Sequence, residues 1–216
     1  MRNMLKYFSV FILMASLLLS NLAYAQQENK TTPAPQGKIS NLKLTDTDFG
    51  LGPKNAKVVI VEYASLTCGH CSEFHTLVLP QLRKEFVDTG KVRYVYRDFP
   101  LDRLSLGAAM VARCAGKDNF FGFIDTFYRV QSQWAEATDP ISALNKLARL
   151  GGMDQNTFDR CLTNKNIQDA ILSRRLEAVK EFDVRSTPTV FINGDKYSGG
   201  MPLVQFQKII RDRLSK

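Results

Sequence analysis

Val58-Val59-Ile60-Val61-Glu62-Tyr63-Ala64-Ser65-Leu66-Thr67-Cys68-Gly69-His70-Cys71 joins two structural signals in one short stretch. The β-branched run predicts a buried central strand over Lys57 to Tyr63, and the residues after it predict a helix beginning near Cys68. Two cysteines separated by two residues at a strand-to-helix junction are placed for reversible dithiol–disulfide chemistry. At a helix start, Cys68 meets unpaired backbone N–H groups and the positive end of the helix dipole, and both favour a thiolate. The same spacing also forms half of many zinc sites. Cys68, Cys71 and His75 are available ligands, but structural zinc takes four and no fourth neighbour follows.

Working outward, the helix is expected to run through Phe74, Leu77 and Leu82 towards Phe86, with Pro80 kinking or breaking it. Lys91 to Phe99 places Val92, Tyr94 and Tyr96 at alternate positions, a second strand. The texture then changes. Residues 103–182 carry few strand signals and five helical ones: Leu106 to Ala115, Phe120 to Trp134, a helix opened by Asp139-Pro140 and ended by Gly151-Gly152, Asp154 to Leu162, and a long one. In the last, Leu172, Leu176, Val179 and Phe182 share one helix face. Strand character returns at Thr189 to Ile192, followed by an Asn193-Gly194 turn and a hairpin partner at Lys196 to Ser198. An amphipathic helix over Pro202 to Leu214 ends the chain. The order is β–α–β, a helical insertion of about 80 residues, then β–β–α.

The N-terminus reads as an address. Arg2 and Lys6 precede an uncharged apolar segment, Phe8 to Leu19, and Ala23-Tyr24-Ala25 supplies a cleavage signal. Residues 1–25 are therefore expected to be a cleaved signal peptide. The apolar segment is shorter than the run of about 20 residues that a membrane span needs. Residues 26–39 read as a flexible linker and residues 40–216 as the folded domain, interrupted by the insertion at 103–182. Cleavage removes 25 of the 216 residues and leaves 191, enough for one domain with a substantial core. Losing Arg2 and Lys6 lowers the formal charge from +8 to +6. No basic run interleaved with aromatics supports nucleic-acid binding. All four cysteines lie in the mature part, and an even count in an exported chain points to two disulfides. Three connectivities are formally open; the local pair and the two distant residues favour Cys68–Cys71 with Cys114–Cys161.

The segments Val61-Glu62-Tyr63, Cys68-Gly69-His70-Cys71, Val92 to Pro100 (VRYVYRDFP) and Thr187 to Gly194 (TPTVFING) together resemble the bacterial DsbA-like thiol:disulfide oxidoreductases of the thioredoxin superfamily. The resemblance covers roughly Leu42 to Leu214. It implies an α/β class, a thioredoxin fold with an all-helical domain inserted between the second and third core strands. It further implies that Cys68 is the nucleophile, that Cys71 is the more buried resolving thiol, and that His70 between them tunes the Cys68 thiolate. Glu62 matches the family's buried acid beneath the dithiol, a proton relay. Pro188 matches its cis-proline, with Thr187 offering backbone hydrogen bonds to an extended client. Ser186 stands where family members often carry glycine. Cys114 and Cys161, 47 positions apart, are expected to staple the insertion, for which loop closure gives about 4 kcal/mol. His75 is read as structural or exposed.

The implied activity is a disulfide oxidase of the periplasm that passes its Cys68–Cys71 bond to newly exported proteins. Its clients are unfolded cysteine-containing chains, and a membrane partner resembling DsbB reoxidises it. It needs no metal or cofactor beyond its own disulfide, and it is expected to be a monomer. An isomerase or reductase of the same compartment is the alternative, disfavoured because only a short tether precedes the first strand.

Overall fold

In the computed structural model, which describes residues 33–40 and 42–216, the β-branched run forms a seven-residue strand at the centre of a six-stranded sheet. The expected signal peptide and the first part of the linker lie outside the described residues. The strands are β1 (Gly37–Lys38), β2 (Phe49–Leu51), β3 (Val58–Ala64), β4 (Val92–Asp98), β5 (Thr189–Ile192) and β6 (Asp195–Ser198). Their order in the sheet is β1-β6-β5-β3-β4-β2. β3 runs parallel to β4, from Val58 opposite Val92 to Ala64 opposite Asp98, and antiparallel to β5, with Glu62 opposite Val190.

Strand alternation assigns side chains to faces. Ile60 and Ala64 enter the larger apolar cluster, while Val61 and Tyr63 enter a smaller one with Val95, Phe99 and Phe191. Glu62 therefore shares the parity of the larger cluster and sits fully buried in it. On the other face, buried Arg97 donates to both carboxylate oxygens of Asp48 and to the Tyr63 hydroxyl. That side is a fully paired, structural ion site.

The helix after β3 starts as α1 (Gly69–Glu73), opens into a π-helical turn at Phe74–Val78, and continues as α2 (Leu79–Leu82) and a second π turn at Arg83–Val87. Pro80 does not break it. The Leu79 N–H reaches back five residues to the Phe74 carbonyl, so the wider turn absorbs the register the proline would disturb. Of the apolar positions read into this helix, Phe74, Leu82 and Phe86 are buried, whereas Leu77 is exposed.

Between β4 and β5 the chain is helical: α3 (Arg103–Cys114), α4 (Lys117–Arg129), α5 (Gln131–Ala135), α6 (Pro140–Leu150), α7 (Gln155–Leu162) and α8 (Lys165–Glu181). The last helix, α9 (Leu203–Leu214), packs Phe206, Ile209 and Ile210 into the larger cluster. Asp102, Asp139 and Asp154 cap α3, α6 and α7 by accepting from backbone N–H groups three residues on. The Asn193-Gly194 turn takes positive φ at both residues, +49° and +87°. A Cβ on Gly194 would meet the Ile39 carbonyl at 2.5 Å, so glycine is required there.

Four further features depart from expectation. The linker read over 26–39 ends inside the sheet, because Gly37 and Lys38 pair with Lys196 and Asp195. Backbone pairing to an edge strand leaves no side-chain period to read. β2 was missed for the same reason; its three residues pair with Tyr94 to Tyr96. The helix expected over Phe120 to Trp134 divides at Val130 into α4 and α5. Of the face read into α8, Phe182 is buried and Val179 packs against the smaller cluster, but Leu172 and Leu176 are exposed, with Ile171 and Ala178 buried on that helix. Polar contacts set that helix's rotation: Arg174 donates to Asp48 and Arg175 to the Pro100 carbonyl.

Candidate active site

Cys68 is the N-cap of α1, with extended backbone angles, and is half-buried. Its sulfur accepts from the Cys71 backbone N–H at 3.4 Å, and in the thiol form it donates to the Thr187 carbonyl at 3.4 Å. The neighbouring Cys71 thiol is the strongest influence holding the Cys68 pKa down, to about 6 from 9.0. Partial burial opposes it, while the Thr187 side chain and the backbone N–H groups of Cys71 and His70 add to it. At neutral pH Cys68 is mostly thiolate, the nucleophilic form.

Cys71 is the opposite case. It is completely buried, and burial pushes its thiol well above the ordinary range, reinforced by its hydrogen bond to Cys68 and by the Glu62 charge. The two sulfurs are free, so this is the dithiol form.

Behind Cys71 lies a closed polar cluster. Glu62 Oε2 accepts from the Tyr94 hydroxyl and lies 3.0 Å from His75 Nε2, and both side chains of the Glu62–His75 pair are fully buried. The His75 ring stacks on Tyr128 at 4.2 Å. The Tyr128 hydroxyl lies 3.0 Å from that of Tyr96 and donates to the Ser65 carbonyl at 3.1 Å, in the loop leading to Cys68. Burial holds all three tyrosines protonated, their pKa values well above the usual range.

The Thr187–Pro188 peptide bond is cis, and its loop faces Cys68 through the Thr187 carbonyl. Ser186 stays out of the left-handed region, so the absent glycine costs the loop nothing in backbone geometry. Gly69 opens the helix with free space around its Cα. His70 is exposed and turns to Glu73, with Nδ1 3.1 Å from Oε2; this hydrogen bond and then the Glu73 charge raise its pKa, and Cys68 is the weakest influence on it. What His70 supplies to Cys68 is chiefly its backbone N–H. Among the described residues no group of three His, Cys, Asp or Glu side chains gathers for a metal. Of the His75 nitrogens, Nε2 is engaged by Glu62.

The family model described as Thioredoxin matches residues 44–212. The crystal structure of α-DsbA1 from Wolbachia pipientis superposes with a TM-score of 0.76 at 31% identity, covering 81% of this chain and 94% of that one. This chain is a DsbA-like member of the thioredoxin family. A Novosphingobium aromaticivorans structure titled a protein-disulfide isomerase is 28% identical with a TM-score of 0.70, covering 80% of this chain and all of that one. A Rickettsia conorii protein named as a protein-disulfide oxidoreductase is 33% identical over 79% of this chain. The chain spans 61% of that relative's length.

In this DsbA-like chain Cys114, at the end of α3, and buried Cys161, in α7, form a disulfide with Cα atoms 5.7 Å apart. Several positioning residues escaped the sequence. Gln131 donates to the Leu66 and Cys68 carbonyls at 2.8 and 3.0 Å, fixing the loop that carries the nucleophile. The Ser72 hydroxyl donates to the Tyr128 carbonyl and ties α1 to the inserted helices. A lone Gln or Ser in a helix carries no sequence signal. His75 does, since four residues from Cys71 put it on the same helix face; its burial against Glu62 was not foreseen.

Proposed function

We propose that the chain is an exported disulfide oxidase. The observation that carries this reading is the contrast within the dithiol, a Cys68 thiolate of pKa about 6 beside a buried Cys71 held protonated. A stabilised thiolate favours the reduced enzyme, which makes its disulfide oxidising. In the reaction, a client thiolate attacks Cys68 Sγ. The Cys68–Cys71 bond breaks, a Cys68–client bond forms, and Cys71 leaves with the electron pair and takes up a proton. A second client thiolate then attacks the client sulfur of that mixed disulfide and expels Cys68 as a thiolate. The client loses two electrons and two thiol protons; the enzyme gains the electrons and keeps one proton on Cys71.

Glu62 supplies the proton that buried Cys71 needs, and the Thr187 carbonyl binds the extended client. A cavity of about 390 Å³ beside the dithiol, lined by Phe74, Leu77, Val78, Met201 and Pro202, offers apolar contact to the same client. Exposed Leu77 belongs to this surface. Clients are unfolded exported chains with free cysteines, the compartment is the periplasm, and a membrane protein resembling DsbB returns the enzyme to its oxidised form. Cys114–Cys161 serves as a structural staple, and the enzyme works as a monomer.

Equilibration with glutathione redox buffers tests the direction. A potential near the −120 mV of strong oxidants supports the oxidase; one near the −270 mV of thioredoxin removes it. The Novosphingobium neighbour favours isomerisation as the second reading. Efficient rescue of a scrambled client by the reduced enzyme would establish that role instead.

A further inference from the structure

His75 is a buried ionisable side chain that the exchange steps above leave unused. The side chain is 0% exposed, and its imidazole has two nitrogens to offer. Nε2 lies 3.0 Å from Glu62 Oε2 and 3.4 Å from the Tyr94 hydroxyl. Nδ1 is buried with no hydrogen-bond partner, as is Glu62 Oε1. A protein gains nothing in stability from leaving two such atoms unpaired, and the apolar surroundings make each one costly.

A solvent cavity adjoins this buried residue. His75 lines a cavity of about 340 Å³ whose other walls include Thr76, Pro80 and Arg129, all exposed. Arg83 and Asp125 also line it and pair with each other at 2.9 Å, while the His75 ring lies buried beneath its wall. The groups around the imidazole are few. Glu62 reaches it from β3, Tyr94 and Tyr96 from β4, Tyr128 stacks on it from α4, and Cys71 lies one turn back on its own helix. The three tyrosines keep their protons at all ordinary pH values. Glu62 and His75 are the pair in this cluster able to carry a proton in and out.

We infer that His75 is the outer half of a proton relay, linking Glu62 beneath Cys71 to solvent in the cavity walled by Thr76, Pro80 and Arg129. The inference rests on the exchange reaction and Glu62 role proposed above, and extends them to a residue outside the dithiol, the acid and the proline loop. An imidazole accepts at one nitrogen and gives at the other, which a single carboxylate buried away from water cannot do. When Cys71 leaves the disulfide, Glu62 gives it a proton; His75 Nε2 returns one to Glu62, and Nδ1 takes one from a water admitted to the buried ring from the cavity. When Cys71 attacks a mixed disulfide at Cys68, each transfer reverses. The thiol proton passes to Glu62 and out through His75, the Cys71–Cys68 bond forms, and the outgoing thiolate carries off the electron pair. His75 touches neither sulfur and is a positioning residue acting through Glu62.

The test isolates the Cys71 step. Reduced protein is mixed with oxidised glutathione, raised until the rate no longer depends on it, so that attack by Cys71 on the Cys68–glutathione disulfide limits. Acid-quenched samples are read by mass. His75→Phe keeps the stack on Tyr128, and His75→Gln keeps a donor towards Glu62 that cannot titrate. Both are expected to slow this step about tenfold or more near pH 7, the lower end of general acid–base contributions. Both should make the rate climb more steeply with pH than in wild type. The Cys68 thiolate absorbance should titrate as before. Unchanged rates and pH profiles in both folded variants overturn the relay, as does a slowing that is independent of pH. If instead wild-type protein forms no glutathione adduct at Cys68, the exchange reaction itself has failed, and the relay falls with it.

Discussion

The chain holds two pairs of cysteines, one free and one bonded, and their surroundings differ in ways that fit the two roles proposed for them. Cys68 and Cys71 are neighbours on one helix start, one half-buried and the other fully buried, with Glu62 acting on Cys71. Cys114 and Cys161 join two helices of the insertion and are flanked by apolar packing. The first pair is electrostatically asymmetric, since the Cys71 and His70 N–H groups act on the Cys68 sulfur and burial bears most on Cys71. The second closes a long loop. Asymmetry makes a dithiol exchangeable, and a buried link across a long loop makes it structural.

Breaking the first pair gives the largest effect. Cys68→Ser should abolish disulfide transfer to a reduced client, and Cys71→Ser should accumulate enzyme–client mixed disulfides visible on non-reducing gels. Full turnover by either variant would remove the mechanism. Breaking the second pair tests the other half of the comparison. Cys114→Ser should lower unfolding stability by up to about 4 kcal/mol, the loop-closure value for 47 residues of separation. Denaturant midpoints check this, and the Cys68 titration in the same protein should stay at about 6. A large change in that titration would mean that the two pairs are coupled.

The reactive pair was more legible in the sequence than its supports. Its strand-to-helix setting followed from a β-branched run meeting a Cys-x-x-Cys, and the core strands β3, β4 and β5 followed from period and length. What stayed hidden is backbone-directed or unperiodic. β1 and β2 pair through main-chain groups on two- and three-residue edges. α8 carries an apolar stripe at Leu172 and Leu176 that faces solvent, because Arg174 and Arg175 set the helix's rotation. At the site, Glu62 stood out as an acid in an apolar strand. Gln131, Ser72 and Tyr128 act through carbonyls distant in sequence, and no local pattern announces such contacts.

The asymmetry of the first pair makes a pH prediction. The folded Cys68 pKa of about 6 lies below its ordinary value of 9.0, so the unfolded reduced chain binds more protons between those values. The stability of reduced protein should therefore rise from pH 6 towards pH 9, and this contribution should be lost as pH falls through about 6. Denaturant midpoints of wild type against Cys68→Ser across this range isolate it; parallel curves would contradict it. Cys71→Ala removes the strongest stabilising partner of the thiolate. Its Cys68 absorbance midpoint should move up from about 6 yet remain below 9.0, because the helix N–H groups stay in place.

The smallest effect concerns His70, where the comparison becomes sharpest. The residue lies between the two cysteines, yet its imidazole is exposed and hydrogen-bonded to Glu73, and its backbone N–H is what acts on Cys68. His70→Ala keeps that N–H. It should raise the Cys68 midpoint by only a few tenths of a pH unit, the scale of an exposed and salt-screened charge. Glu73→Gln is the more telling partner, since it releases the imidazole from its carboxylate while removing a negative charge near the helix start. If side-chain charge matters at all, Glu73→Gln should lower the Cys68 midpoint slightly at low salt and lose the effect at 1 M salt, where the screening length is about 3 Å. A shift in His70→Ala as large as that in Cys71→Ala would place the tuning in the imidazole and not in the helix start.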